Sequence, residues 1–156
     1  MKPFFRPLVP ALLAALAAGP ALASSDLPEP VETRQSLMRL FTHNMAMLGG
    51  MARGKIEYDA ELAQKAADSI VALTRVDQSR MWPEGTDNFE IDGTRALPEL
   101  WENLPDLVER NMKLQEAAVT FAQSAGNGLE EMRGSIGALV GVCGACHKQY
   151  RSSLEQ

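Results

Sequence analysis

The chain has 156 residues, 46% of them hydrophobic and 22% charged, the balance of one globular domain rather than of a disordered or fibrous chain. Aromatic residues are only 6% while Ala, Leu and Met are abundant, which favours helices packed on helices over a β-sandwich. Fifteen Lys and Arg against twenty Asp and Glu give a net charge of −5, which speaks against sequence-independent binding to nucleic acid phosphates; two cysteines are too few for a disulfide-built fold.

The first two dozen residues read as an address. Lys2 and Arg6 form a positive start, residues 8–18 form an apolar run, Gly19-Pro20 breaks it, and Ala21-Leu22-Ala23 matches the small-x-small cleavage pattern. The apolar run is well short of the ~20 residues that a spanning helix needs. A cleaved secretory signal over 1–23 is therefore predicted, with a mature domain over 24–156 exported to the periplasm and no membrane anchor left after cleavage. That domain keeps thirteen basic and twenty acidic residues, a net charge of −7.

Pro28 and Pro30 mark a short extended lead-in. A first helix is predicted over 31–53, with Gly54 placed to end it. Arg34, Met38, Phe41, Met45 and Leu48 share one stripe at 100° per residue, and Leu37, Leu40, Met47 and Met51 widen the apolar surface beyond it. Such breadth predicts burial on two sides, one against the domain and one against a second copy, a homodimer formed by the first two helices. Asp59 offers an N-cap for a second helix over 60–76 whose core face is Leu62, Ala66, Ile70 and Leu73.

The helical pattern then stops. Residues 78–97, with Trp82-Pro83-Glu84-Gly85-Thr86-Asp87-Asn88 and Asp92-Gly93-Thr94, carry turn chemistry and predict one long loop of the size that is usually functional. A short turn is expected over 98–101. A third helix opens at Pro105 with Leu107, Val108, Met112, Leu114, Val119 and Phe121 as apolar candidates, and Gly126-Asn127-Gly128 closes it. A fourth runs over 129–153. Four helices with short to moderate connections predict an all-α, antiparallel four-helix bundle. A stripe of Gly134, Gly137, Gly141 and Gly144 on the last helix predicts close approach of another helix, since each glycine costs about 1 kcal/mol of helix propensity against alanine.

Both cysteines and one of the two histidines stand together in Cys143-Gly144-Ala145-Cys146-His147. This is the C-x-x-C-H pattern of covalent c-type haem attachment. On a helix the two thiols fall one turn apart on one face, each in reach of one haem vinyl group, and His147 projects from nearly the same face to place an imidazole nitrogen on the iron. Three other readings compete. A redox disulfide normally sits at a strand-to-helix junction. A zinc site needs a fourth ligand, for which only His43 is at hand. The third is a chance match in a structural helix. Export favours haem, which is attached to such proteins outside the cytoplasm.

The mature chain resembles the cytochrome c′ family, the class II c-type cytochromes, over essentially its whole length. The likeness lies in Arg34-Gln35-Ser36-Leu37-Met38 on the first helix, Trp82-Pro83-Glu84-Gly85-Thr86 in the loop, Thr94-Arg95-Ala96-Leu97-Pro98-Glu99-Leu100-Trp101 before the third helix, and Cys143 to His147 followed by Tyr150-Arg151. The resemblance implies one haem c per subunit, joined by thioethers to Cys143 and Cys146, with His147 as the proximal iron ligand. It further implies Arg34 and Gln35 beside the haem propionates, Met38 over the distal face as a possible second ligand, Thr94 and Arg95 skirting the haem, and Arg151 flanking the proximal pocket.

His43 lies five residues from Met38, roughly 140° around the helix, so the two cannot both face the haem. No distal histidine for peroxide chemistry, second metal cluster or nucleotide motif is present, so no enzyme is expected. Two functions remain: an electron carrier docking with redox partner proteins, and a protein that binds nitric oxide or carbon monoxide at an open sixth position. Met38 discriminates. A ligating thioether gives a low-spin Met/His centre suited purely to electron transfer, whereas a thioether that only packs over the iron leaves it high-spin and five-coordinate. The high-spin form is the expectation.

Overall fold

The computed structural model describes residues 26–153, and the expected export signal over 1–23 lies outside the described residues. Five helices follow in order: α1 (Glu29–Ala52), α2 (Ala60–Thr74), the single turn α3 (Glu99–Glu102), α4 (Leu104–Ala122) and α5 (Leu129–Tyr150). Local chemistry explains most boundaries. Pro28 is the N-cap of α1 and Pro30 lies in its first turn, where a missing N–H costs nothing, so the helix starts two residues before the expected position. Glu29 and Glu32 sit at the positive end of its dipole. Gly54 leaves the helix at a φ of 67°, a conformation that suits glycine. The Asp59 carboxylate caps α2 by accepting from the Leu62 N–H at 2.8 Å.

The C-terminus corrects the expectation. Helix α5 ends at Tyr150, and Arg151 turns extended to form an isolated antiparallel bridge with Ala96. The Leu97 N–H donates to the Tyr150 carbonyl at 3.0 Å and the Ser152 N–H to the Arg95 carbonyl at 2.9 Å. The long loop thus supplies backbone partners that replace a further helical turn, a competition invisible in the period of α5.

Helix α1 packs on α2 and α5, and α4 packs on the same two, closing a ring in which each long helix touches its neighbours in the chain. This is the up-down-up-down four-helix bundle. Its core is concentrated at one end. Leu48 and Met51 from late α1, Ile70 from α2, Phe121 from late α4, and Met132 and Leu139 from early α5 are all withdrawn from solvent.

The inward face of α2 differs from the expectation. Ala63, Ala66, Ala67, Ile70 and Thr74 are buried, while Leu62 is 46% exposed. A row of methyl groups lets α1 and α4 approach closely, and that tertiary gain outweighs burying a larger side chain one residue round the helix. On α4, likewise, Ala118 and Phe121 enter the core while Val108 and Met112 stand exposed. Among the described residues the glycine stripe is not a contact between helices. Gly134, Gly137, Gly141 and Gly144 are exposed, and a Cβ on any of them would meet nothing within 4 Å.

Candidate haem site

At the end opposite the core, the first half of α1, the loop after α2, the start of α4 and the second half of α5 stand apart around a cavity of about 720 Å³. Its wall is largely apolar, with Met38, Phe41 and Met45 from α1 facing Leu107 and Leu114 from α4. The charged residues that line it are Arg34, Arg95, Arg110 and Arg151, with no carboxylate among them. In a chain of net charge −5, this inversion makes the cavity a focus for an anionic group.

Cys143, Cys146 and His147 all lie half-buried on the α5 side of this wall. Burial pushes both thiols above the ordinary cysteine range, and the proximity of the pair adds to this at Cys143. Burial, then the charges of Arg151 and Arg95, pull the His147 imidazole below the ordinary histidine range. A neutral imidazole keeps a nitrogen lone pair available to a metal.

Arg34 is 3% exposed, and its guanidinium is held by the loop. One terminal nitrogen donates to the Met81 carbonyl at 3.0 Å and to the Thr86 hydroxyl at 2.8 Å. The other donates to the Thr86 carbonyl and to the Thr94 hydroxyl, the latter at 3.1 Å. All four terminal N–H groups are thereby engaged, and only Nε–H is left for any outside acceptor. Its carbon lies 4.8 Å from the Trp82 ring centre and 5.7 Å from that of Trp101, and the two indoles meet edge to face at 6.3 Å. Burial works against the charge, and Asp87 partly offsets it.

The other loop residues are also tied down. Gln35 Nε2 donates to the Gly93 carbonyl at 2.8 Å, and Arg95 Nε donates to the Ser152 carbonyl at 2.9 Å. Thr94 is buried beside Arg34, and Arg151 is exposed but still reaches the cavity wall. Met38 is half-buried on the wall beside Phe41 and Met45, whereas His43 is exposed and outside the lining.

Among the lining residues not singled out from sequence as site residues, two stand out, Arg110 and Trp82. Arg110 lies over the Tyr150 ring at 5.4 Å and donates from Nε to Asp106 at 2.5 Å, and the Tyr150 hydroxyl donates to the same carboxylate. The Tyr150 hydrogen bond first, then Arg110, holds the Asp106 carboxyl below the usual carboxylate range. The four-residue spacing of Asp106 and Arg110 was the available signal. The second is Trp82, whose indole nitrogen is buried without a hydrogen-bond partner.

The donor set fits haem. A flat apolar macrocycle suits the methionine- and phenylalanine-lined wall, its carboxylates suit the arginines, and two thiols one turn apart match its vinyl groups. Fold and site together define the class of helical-bundle c-type cytochromes. The family model described as "Cytochrome C'" matches residues 29–151. The chain is 37% identical over 143 residues to cytochrome c-554 of Cereibacter sphaeroides, covering 90% of this chain and 94% of that one. It is 32% identical over 146 residues to cytochrome c′ of the same organism, covering 94% and 97%. A solved cytochrome c′, described as showing an unusual ligand-controlled dimer dissociation, superposes with a TM-score of 0.71 at 26% identity, covering 80% of this chain and 95% of that one. The chain belongs to the cytochrome c′ family and, with it, binds covalent haem c.

Proposed function

We propose that the chain is a periplasmic c-type cytochrome with one haem per subunit, high-spin and five-coordinate, that binds nitric oxide or carbon monoxide and exchanges single electrons with redox partner proteins. It acts as a carrier and receptor rather than as an enzyme. The observation that carries this reading is the meeting of Cys143, Cys146 and His147 on one wall of the apolar cavity. When bound, haem supplies a one-electron couple and an iron site for diatomic gases. Cys143 and Cys146 would hold it through thioethers at its vinyl groups, and His147 would offer a nitrogen to the iron. Met38, with Phe41 and Met45 beside it on the wall, would pack over the other face without bonding to the metal and would keep that side apolar and open to small neutral molecules. Arg34 and Gln35 would lie beside the haem carboxylates, Thr94 and Arg95 would skirt the group, and Arg151 would flank the pocket on the His147 side.

The direct test is the mass of the exported protein. Residues 24–156 plus one haem is the expected value, and Cys143→Ser or Cys146→Ser should weaken or abolish haem retention on a denaturing gel. A polypeptide mass without haem would remove the reading altogether. The exposed Leu40 of α1 and Leu62 of α2 support the assignment of those helices to a homodimer interface. The ligand-controlled dimer of the solved relative points the same way. Sedimentation at micromolar concentration should give a dimer, and a monomer alone would reject that part.

A further inference from the structure

The haem reading gives parts to Arg34, Arg95 and Arg151 but none to Arg110, the remaining charged residue of the cavity wall among the described residues. Arg110 stands on α4 and is held from two sides. Its Nε donates to the Asp106 carboxylate at 2.5 Å, and its guanidinium carbon lies 5.4 Å from the centre of the Tyr150 ring. The Tyr150 hydroxyl donates to the same carboxylate, which closes the three side chains into a triangle between α4 and α5. A guanidinium bonded along one edge and stacked on one face has little freedom left, so its charge has a fixed place.

That place is beside the face of α5 that carries the haem motif. Cys146 and His147 precede Tyr150 by four and three residues, so the three share one side of the helix, and all three line the cavity. Burial pushes the Cys146 thiol up and the Arg110 charge works against it, which marks the two as near neighbours. Asp106 forms no part of the lining, although its partner does. The ion pair is therefore a dipole whose positive end fronts the cavity. Reduction by a one-electron donor adds a single negative charge to the site and makes or breaks no bond. A cation fixed beside the site favours that state, and an anion opposes it. We propose that Arg110 raises the reduction potential of the haem from the Cys146 side, with Asp106 as the positioning residue that fixes the guanidinium against Tyr150. The inference rests on the haem reading and adds to it the residue that sets how readily the site accepts an electron.

The test is the midpoint potential of the full holoprotein, read by optical redox titration at neutral pH and fixed ionic strength. Arg110→Met keeps the aliphatic stem and removes the charge. Against a donor of fixed potential it should move the equilibrium about fivefold toward the ferric form. Arg110→Lys returns a cation to the wall and should recover most of that shift. Asp106→Asn keeps an acceptor for the Tyr150 hydroxyl but removes the anion, and it should move the equilibrium the other way, toward the ferrous form. Lys113→Met removes an exposed cation of the same helix, paired with Glu109 and outside the lining, and should leave the potential unchanged. A general loosening of the site would shift Arg110→Met and Asp106→Asn alike, whereas a field effect gives them opposite signs. An unchanged potential in Arg110→Met overturns the proposal, as do shifts of one sign in both variants. An equal shift in Lys113→Met also overturns it, because the effect would then be that of any surface cation. Covalent haem confirmed by mass in every sample separates failure of this inference from failure of the haem reading.

Discussion

Where α1 gives way to α2 and α4 to α5, protein fills the bundle: Leu48, Met51, Ile70, Phe121 and Met132 interlock and are shielded from solvent. At the other end α1, α4 and α5 leave apolar side chains facing a cavity, and the surrounding chain is held by polar contacts. Arg34 ties α1 to the loop, Arg95 ties the loop to the segment after α5, and Asp106 ties α4 to Tyr150. The contrast follows from what fills each end. A core made by the chain is held chiefly by buried area, and its directed bonds lie at the edge, where the Tyr58 hydroxyl donates to the Ala125 carbonyl and accepts from the Gly128 N–H. A chamber that must receive a rigid, partly charged cofactor has to hold its shape by hydrogen bonds and reserve its apolar surface for the guest.

That contrast can be broken from either side. Phe121→Ala should cost about 3–5 kcal/mol of the holoprotein's stability, since it removes the largest fully buried side chain from a packed core. Denaturant unfolding measures the loss, which should leave the optical spectrum of the native state unchanged. A spectrum altered as much as the stability would mean that the two ends are not separate. Arg34→Met should cost less, about 2–3 kcal/mol, because it strands two carbonyls and two hydroxyls that the guanidinium had satisfied. Its effect should also be local. Hydrogen exchange should quicken at the Asn88 amide, which bonds the Ala96 carbonyl across the loop at 2.8 Å, and stay unchanged at the Met132 amide in the closed end. Equal acceleration at both would deny the loop its independence.

How far the sequence could be read follows the same divide. The Asp59 cap, the Gly54 exit and the proline starts of α1 and α4 are local chemistry, and each is legible within a few residues. The burial of Ala63 in place of Leu62 is set by how closely α1 and α4 approach, which no single helix reveals. At the site, the adjacency of Cys143, Cys146 and His147 survives translation to a helix, so their meeting on one wall could be anticipated. The partners of Arg34 lie 47 to 60 residues away and include two backbone carbonyls, which carry no side-chain signature. The unpartnered indole of Trp82 was hidden for the same reason: a missing bond shows only once the fold has placed every possible acceptor.

The proposal on which the account turns is that Met38 would stand over the iron without ligating it. Met38 shares its helix stripe with Arg34, whose hydrogen bonds into the loop fix where the start of α1 sits, and Phe41 and Met45 occupy the wall beside it. The measurement is the optical or magnetic-resonance spectrum of the ferrous holoprotein at neutral pH, taken with and without Met38→Ala. The account predicts a high-spin, five-coordinate centre in both, with carbon monoxide binding faster in the variant because no thioether has to be pushed aside. A low-spin spectrum in the unmutated protein that turns high-spin in Met38→Ala would contradict it.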